Sequence, residues 1–268
     1  MTVVLSDSIP PRTNAVSDIS LLSDKQIPIK ERLIVPLDVE SEDAAKAVVE
    51  RLGSSVSFYK LGLQMFMSGS YFSVLEWLTA QNKQVFVDLK FFDVPQTVAS
   101  AVKQLRGRNA VFATVHGNDA ILEAACREKN DTKILAVTVL TSLDQHDIEQ
   151  LGFNVDVSAL VLSRARRALA LGCDGVISSG RESRALRNDL GPGFLIVVPG
   201  IRPVANTDDQ KRTVDVEEAF LNGADYIVVG RPILQAPDPL QAAEDIQRRI
   251  SSVFVRARTT LTSREDCS

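Results

Sequence analysis

The segment Asp88-Leu89-Lys90-Phe91-Phe92-Asp93-Val94-Pro95 follows the apolar run Val85-Phe86-Val87 and sets two carboxylates and a lysine at i, i+2 and i+5. A charge at the end of a buried strand is costly unless it is paired, so three ionisable groups there need partners or a task. On a strand, Asp88 and Lys90 share one face, because side-chain direction repeats every two residues. Asp93 lies past the strand and can aim elsewhere, including into a neighbouring subunit. Asp38 and Lys60 end two earlier apolar runs, which completes an Asp/Lys/Asp/Lys set of alternating sign. Its near-zero sum makes partial burial tolerable. A substrate carboxylate placed beside Asp88 would be repelled by about 4 kcal/mol at ~4 Å and an effective dielectric near ~20. Loss of carbon dioxide removes that repulsion and leaves a carbanion, which the Lys90 ammonium can stabilise and then protonate. Such a reaction needs no electron-sink cofactor and no metal. The same charges would also serve an enolate-forming reaction.

The elements that must position these groups alternate. Apolar runs at Leu33–Leu37, Val56–Leu61, Val85–Leu89, Ala110–Val115, Ile134–Val139, Gly175–Ile177, Phe194–Val198 and Tyr226–Val229 read as strands. Helical patterns fall between them at Glu42–Arg51, Gln96–Arg106, Ala120–Glu128, Ser158–Ala170 and Val216–Asn222, and Pro239–Val255 closes the series. Strand followed by helix, repeated, predicts parallel strands with crossover helices, and continuous Val/Ile/Leu runs predict strands covered on both faces. Eight such units predict a single-domain (β/α)8 TIM barrel over residues 31–255, with a doubly wound open sheet as the alternative. The glycine fingerprint of a dinucleotide fold is missing after the first strand, and so is a Walker A pattern. Residues 1–30 read as a flexible leader with a short helix near Asp18–Ser23, and residues 256–268 as a polar tail.

In this architecture the active site lies at the C-terminal ends of the strands. Asp38, Lys60, Asp88 and Lys90 fall at such ends, as do Thr141-Ser142, Pro199-Gly200-Ile201-Arg202 and Gly230-Arg231-Pro232. Taken singly, each has a plainer reading. An Asp at a strand end is a helix N-cap, Lys60 snorkels, Arg231 pairs with a loop carboxylate, and Arg202, Lys211 and Arg212 form a solvated loop. Their recurrence at the same end of successive strands is what argues for a site.

Bulk properties restrict the alternatives. A net charge of −4 over 268 residues gives no reason to expect nucleic-acid or membrane binding. No apolar run approaches the ~18 residues of a membrane span, and the N-terminus is a poor signal peptide. Cys126, Cys173 and Cys267 suggest neither a disulfide framework nor a zinc site, and fit a reducing cytoplasm. His116 reads as a hydrogen-bonded structural residue and His146 as solvent-facing; two separated histidines make no metal site.

From Arg32 to Arg249 the chain resembles the orotidine 5′-monophosphate decarboxylase family. The most specific piece is Asp88-Leu89-Lys90-Phe91-Phe92-Asp93-Val94-Pro95-Gln96-Thr97, which follows that family's D-x-K-x-x-D signature. Leu37-Asp38, Lys60-Leu61-Gly62, Val137 to Ser142, Pro199 to Arg202, Asp208-Asp209-Gln210 and Val229 to Pro232 support it in the family's order. The resemblance implies cofactor-free conversion of orotidine 5′-monophosphate to uridine 5′-monophosphate in pyrimidine synthesis. It casts Lys90 as proton donor, Asp88 against the departing carboxylate, and Asp38 and Lys60 on the ribose hydroxyls. Asp93 and Thr97 reach a partner's site in a homodimer, Thr141 contacts the pyrimidine, and Pro199 starts a loop over the site. Arg202, Gln210, the Gly230 amide and Arg231 hold the phosphate. Phe92 departs from the His of many members, which bears on packing at the dimer contact. Magnesium-dependent phosphosugar enzymes of the same barrel group place a carboxylate where this chain has Lys60, and a lysine there would repel the ion. A non-enzymatic nucleotide-binding barrel would have no use for Lys90 and its carboxylates, whose burial only costs stability. A protein-binding scaffold has no specific feature in its favour.

Overall fold

The computed structural model describes residues 19–201 and 214–265. Eight parallel strands close in sequence order, β1 next to β2 and so on until β8 pairs back with β1. They are β1 Leu33–Pro36, β2 Phe58–Leu61, β3 Gln84–Phe91, β4 Ala110–Val115, β5 Lys133–Val137, β6 Gly175–Ile177, β7 Leu195–Val198 and β8 Tyr226–Val228. The expected (β/α)8 barrel is therefore present. The helices are α1 Glu42–Leu52, α2 Leu63–Met67, α3 Tyr71–Ala80, α4 Pro95–Lys103, α5 Asp119–Glu128, α6 Gln145–Gln150, α7 Val157–Ala170, α8 Gly180–Leu190, α9 Val216–Leu221, α10 Arg231–Leu234 and α11 Pro239–Glu265.

Local chemistry sets where many helices begin. Ser41, Asn118, Asp156 and Asp215 each accept a backbone N–H of the first turn of α1, α5, α7 and α9, and Pro95 opens α4, where its missing N–H costs nothing. α8 carries few apolar residues (Ala185, Leu186 and Leu190), so hydrophobic periodicity could not reveal it. It is held instead by polar burial, with Arg187 and Glu182 nearly covered.

Side chains alternate across each strand, and this divides the core in two. Outward residues such as Leu33, Val35, Tyr59, Val85, Val87 and Ala113 pack beneath the helices. Inward residues Ile34, Phe58, Phe86, Phe112, Leu135, Val197 and Tyr226 fill the barrel. Phe58, Phe86, Phe112 and Tyr226 form an aromatic plug with ring centroids 5.1–5.8 Å apart. One step further along each strand, the next inward positions are Pro36, Lys60, Asp88, Thr114, Val137, Ile177, Pro199 and Val228. The plug is thus the floor on which a ring of eight side chains stands.

Three expectations need correction. Ile19 to Leu22 make a single turn, closed by Leu22 N–H on the Ile19 carbonyl (3.1 Å), and no helix; Asp18 lies outside the described residues. The later part of the expected leader is packed: Ser23 and Lys25 bond to Asp225, and Ile29–Glu31 form a 3-10 turn. At the other end α11 continues through the expected tail to Glu265, with Ala257 still buried.

Candidate active site

Parity along the strands explains which charges converge. Lys60 follows inward Phe58 by two residues, and Asp88 follows inward Phe86 by two, so both stand on the aromatic floor. Lys60 Nζ lies 3.4 Å from Asp38 Oδ1 and 3.3 Å from Asp88 Oδ2, and Lys90 Nζ donates to Asp88 Oδ1 at 2.9 Å. The order Asp38–Lys60–Asp88–Lys90 therefore alternates in space as it does in sequence. Gly62 leaves room for this close approach: a Cβ there would come 3.1 Å from Lys60 Nζ and 3.2 Å from Asp38 Oδ1 and would crowd the pair.

Lys90 reaches Asp88 by an irregular route. The β3–β4 register shifts between Val87 and Phe91, and Lys90 has φ +48°, in the left-handed region that side chains other than glycine and asparagine rarely adopt. The freed Lys90 N–H is caught by Thr114 Oγ1 at 2.9 Å, and the same hydroxyl donates to Asp88 Oδ1 at 2.9 Å. Thr114 is fully buried and holds both ends of the Asp88/Lys90 unit. Sequence reasoning missed it. The available signal was its place two residues after inward Phe112.

Burial alone would raise the Asp88 carboxyl. Lys60, Lys90 and the hydrogen bonds from Lys90 and Thr114 outweigh that and hold it below the ordinary carboxylate value. Asp88 is thus an anion at neutral pH, with its side chain only 12% exposed.

A cavity of about 340 Å³ opens above the ring. It is lined by Asp38, Lys60, Asp88, Lys90, Thr141, Pro199, Gly230 and Arg231, with Phe86, Val137, Leu140, Ile177 and Val228 as apolar walls. Ser142 and Gly200, named at these strand ends in the sequence, also line it, and so does Pro36, which was not expected there. A Cβ on Gly230 would meet Pro36 Cγ at 2.9 Å, so only glycine fits beside that wall. Asp93 and Thr97 are exposed and lie outside this cavity, with Asp93 Oδ1 accepting the Val94 N–H at 2.6 Å. Arg202 and Gln210 lie outside the described residues.

A larger space of about 700 Å³ flanks the mouth, between Phe92–Pro95, Asn118–Leu122 and Arg164. The Asp38/Lys60/Asp88/Lys90 set lines the smaller cavity, whereas the charged lining of this larger space is Asp93, Asp119, Arg164 and Arg167. His116 borders it, with Nδ1 3.1 Å from the Val137 carbonyl and its ring edge-on to Phe92. Its burial, reinforced by Arg164 and opposed by that hydrogen bond, lowers its pKa, which keeps the ring neutral at pH 7. His146 is exposed. Among the described residues, no three His, Cys, Asp or Glu side chains converge as a metal site requires, and no helix is long and apolar enough to cross a membrane.

Known proteins match the chain along most of its length. The chain is 61% identical over 237 residues to orotidine 5′-phosphate decarboxylase of Methylococcus capsulatus, covering 88% of this chain and 98% of that one. It is 50% identical over 229 residues to the enzyme of the same name from Xanthomonas axonopodis pv. citri, covering 84% and 94%. The crystal structure of orotidine 5′-phosphate decarboxylase from Lactobacillus acidophilus superposes with a TM-score of 0.73 at 32% identity, over 82% of this chain and 99% of that one. Residues 31–246 match the Orotidine 5′-phosphate decarboxylase / HUMPS family, and the chain belongs to that family.

Proposed function

We propose a division of labour at this site for the reaction the chain catalyses, the decarboxylation of orotidine 5′-monophosphate to uridine 5′-monophosphate and carbon dioxide. The observation that carries it is the alternating array, with Lys60 Nζ between Asp38 and Asp88 and Lys90 Nζ on Asp88, facing one cavity. Asp88, kept anionic, repels the substrate carboxylate in the ground state, and that repulsion vanishes as carbon dioxide leaves. The Lys90 ammonium, already oriented by Asp88, stabilises the carbanion at C6 and delivers its proton there. Asp38 and Lys60 take the ribose hydroxyls. Thr141 contacts the pyrimidine ring from the β5 side. Gly230 and Arg231 receive the phosphate, joined by Arg202 and Gln210. Pro199 and Gly200 line the cavity on the side where the phosphate is received, so remote phosphate binding contributes to the chemical step.

The active form in this reading is a homodimer. Asp93 and Thr97 lie outside their own cavity, and Asp93 is flanked by Phe92 and Val94, exposed by 66% and 62%. Leu63, Phe66 and Met67 add exposed apolar surface after the adjacent strand β2. A second copy covering this rim would bury those side chains and receive Asp93 and Thr97 beside its own Lys90. The cytoplasm, where this nucleotide chemistry runs, suits the free thiols of Cys126 and Cys173.

An ultraviolet assay with orotidine 5′-monophosphate, with and without a chelator, tests the reaction. Turnover unaffected by chelator is expected; magnesium-dependent turnover of a ketohexulose phosphate would replace this reading with that of a magnesium-dependent phosphosugar enzyme. Mixing Lys90→Ala with Asp93→Ala subunits tests the shared site. Mixed dimers should regain activity through one native site each, and a mixture that exchanges subunits yet stays inactive would remove Asp93 from the partner's site.

A further inference from the structure

Away from the active site, two thiols face each other. Cys126 in α5 and Cys173 in the turn between α7 and β6 place their Sγ atoms 3.5 Å apart across 47 residues of chain. Both are free, Cys126 half-buried and Cys173 6% exposed. Lys129 stands over the pair, with Nζ donating to the Gly172 carbonyl at 2.7 Å and to both oxygens of Asp174 at 2.9 Å, the two residues that flank Cys173. Cys173 precedes β6, so the pair sits toward the end of the barrel opposite the cavity. Nothing in the decarboxylation uses it.

We propose that Cys126 and Cys173 are a peroxide-responsive dithiol that closes reversibly into a disulfide stapling α5 to the α7–β6 turn. The accessible sulfur is the one suited to attack. The hydrogen bond from Cys173 and then the Lys129 charge favour the Cys126 thiolate, against burial and Asp174, whereas Cys173 is pushed up by the Cys126 contact and by burial. The Cys126 thiolate attacks one oxygen of hydrogen peroxide. An S–O bond forms, the O–O bond breaks, and hydroxide leaves and is protonated to water. Sulfur is oxidised to the sulfenic acid and the peroxide is reduced. Cys173 then attacks the sulfenic sulfur. The S–S bond forms, the S–O bond breaks, and a second water carries away the hydroxyl group and the thiol proton. An external dithiol reverses the link by exchange. The sulfurs must close to about 2.05 Å, and Gly172 beside Cys173, at φ +91°, sits in a conformation that only glycine adopts freely at such a turn. The closed loop spans the end of α5, β5, α6 and α7, so the link restricts the unfolded chain and raises Tm by about 4–10 °C while leaving turnover unchanged.

The test treats the full-length protein with hydrogen peroxide, quenches with an alkylating reagent under denaturing conditions, and maps the peptides. A linked Cys126–Cys173 peptide is expected in wild type and in Cys267→Ser, with the rise in Tm, and both should disappear on adding dithiothreitol. In Cys173→Ser the reaction should stop at a Cys126 sulfenic acid trapped by dimedone. The proposal is overturned if Cys126 proceeds to the sulfinic acid while Cys173 stays alkylatable, if peroxide links either thiol only to Cys267, or if the linked form has the Tm of the reduced one. The wild-type map needs no variant, so a serine variant that fails to fold leaves the test standing.

Discussion

Each end of the barrel buries one aspartate between two cations and a hydroxyl. At the strands' N-terminal end, Asp225 Oδ1 accepts from Ser23 at 2.5 Å and Lys25 at 3.1 Å, and Oδ2 accepts from Arg187 at 2.7 Å and the Ile196 N–H at 2.9 Å. At the mouth, Asp88 Oδ1 accepts from Lys90 and Thr114 at 2.9 Å each, and Oδ2 faces Lys60 at 3.3 Å. The cluster at this lower end, the floor cluster, is the more covered: Asp225 is fully buried, Arg187 is 3% and Lys25 22% exposed, and the remaining donors of Arg187 are spent on the carbonyls of Gly223 and Phe194. The mouth cluster opens on a cavity, with Lys90 35% exposed and its backbone in the left-handed region. An ionic cluster whose donors are spent on its own protein partners can only hold the chain together. An open one, with a hydrogen-bonded carboxylate and an ammonium that still reaches a cavity, can act on a substrate.

The sharpest way to break this contrast is at Lys90. Lys90→Ala should lower kcat by roughly 10⁴-fold or more, since it removes both the proton donor and the charge facing the carbanion. Nucleotide affinity by calorimetry should change little, and Tm should not fall. Lys90→Gly should be as inactive but more stable than Lys90→Ala by about 1 kcal/mol, because only glycine occupies φ +48° without strain. Equal stabilities would show that the strain is not stored there.

The floor should behave in the opposite way. Asp225→Ala leaves Arg187 buried without its carboxylate and should cost about 3–5 kcal/mol in denaturant unfolding. The kcat of the folded fraction should remain within about two-fold of wild type, as for a residue with no path to the reacting atoms. A matching collapse of kcat in folded protein would mean that the two ends are coupled.

The two clusters also differ in how far the sequence reveals them. Asp88, Lys90, Lys60 and Asp38 were legible because each ends an apolar run, and strand parity fixes the direction of Lys60 and Asp88; Lys90, at φ +48°, and Asp38, beyond the end of β1, join the array outside strand geometry. Eight such runs also carried the barrel. The floor cluster was not legible: Asp225, Arg187, Ser23 and Lys25 lie up to 202 positions apart in turns, a helix and a segment read as a leader. No local period links residues that only barrel closure brings together. Thr114 stands between these cases. Its inward direction follows from Phe112, but the bulge that turns the Lys90 N–H toward it is a property of the β3–β4 pairing. α8 escaped because polar burial, rather than an apolar stripe, holds it.

Thr114 therefore sharpens the comparison at the mouth. Thr114→Val keeps the shape and removes both hydrogen bonds, so it should lower kcat about 10–100-fold with KM nearly unchanged, and Thr114→Ser should restore most of the loss. A KM effect without a kcat effect, or no rescue by serine, would reduce Thr114 to a packing residue.

The smallest expected effect is in acid, where the two kinds of burial have distinct signatures. The folded-state value of Asp88 lies below the ordinary 3.8, so its stabilising contribution is present above that value and is lost only as pH falls through the lower folded value. His116 has a folded value below 6.5, so between that folded value and 6.5 the unfolded chain binds the extra proton, and stability declines as pH falls through this window. One proton allows a slope of at most about 1.4 kcal/mol per pH unit. In denaturant titrations, His116→Gln should flatten the stability profile just below pH 6.5, while Asp88→Asn should leave that region parallel to wild type and diverge only below about pH 4. If Asp88→Asn instead changes the slope near pH 6, then its carboxylate is not held ionised by Lys60, Lys90 and Thr114, and the electrostatic basis of the mouth cluster fails.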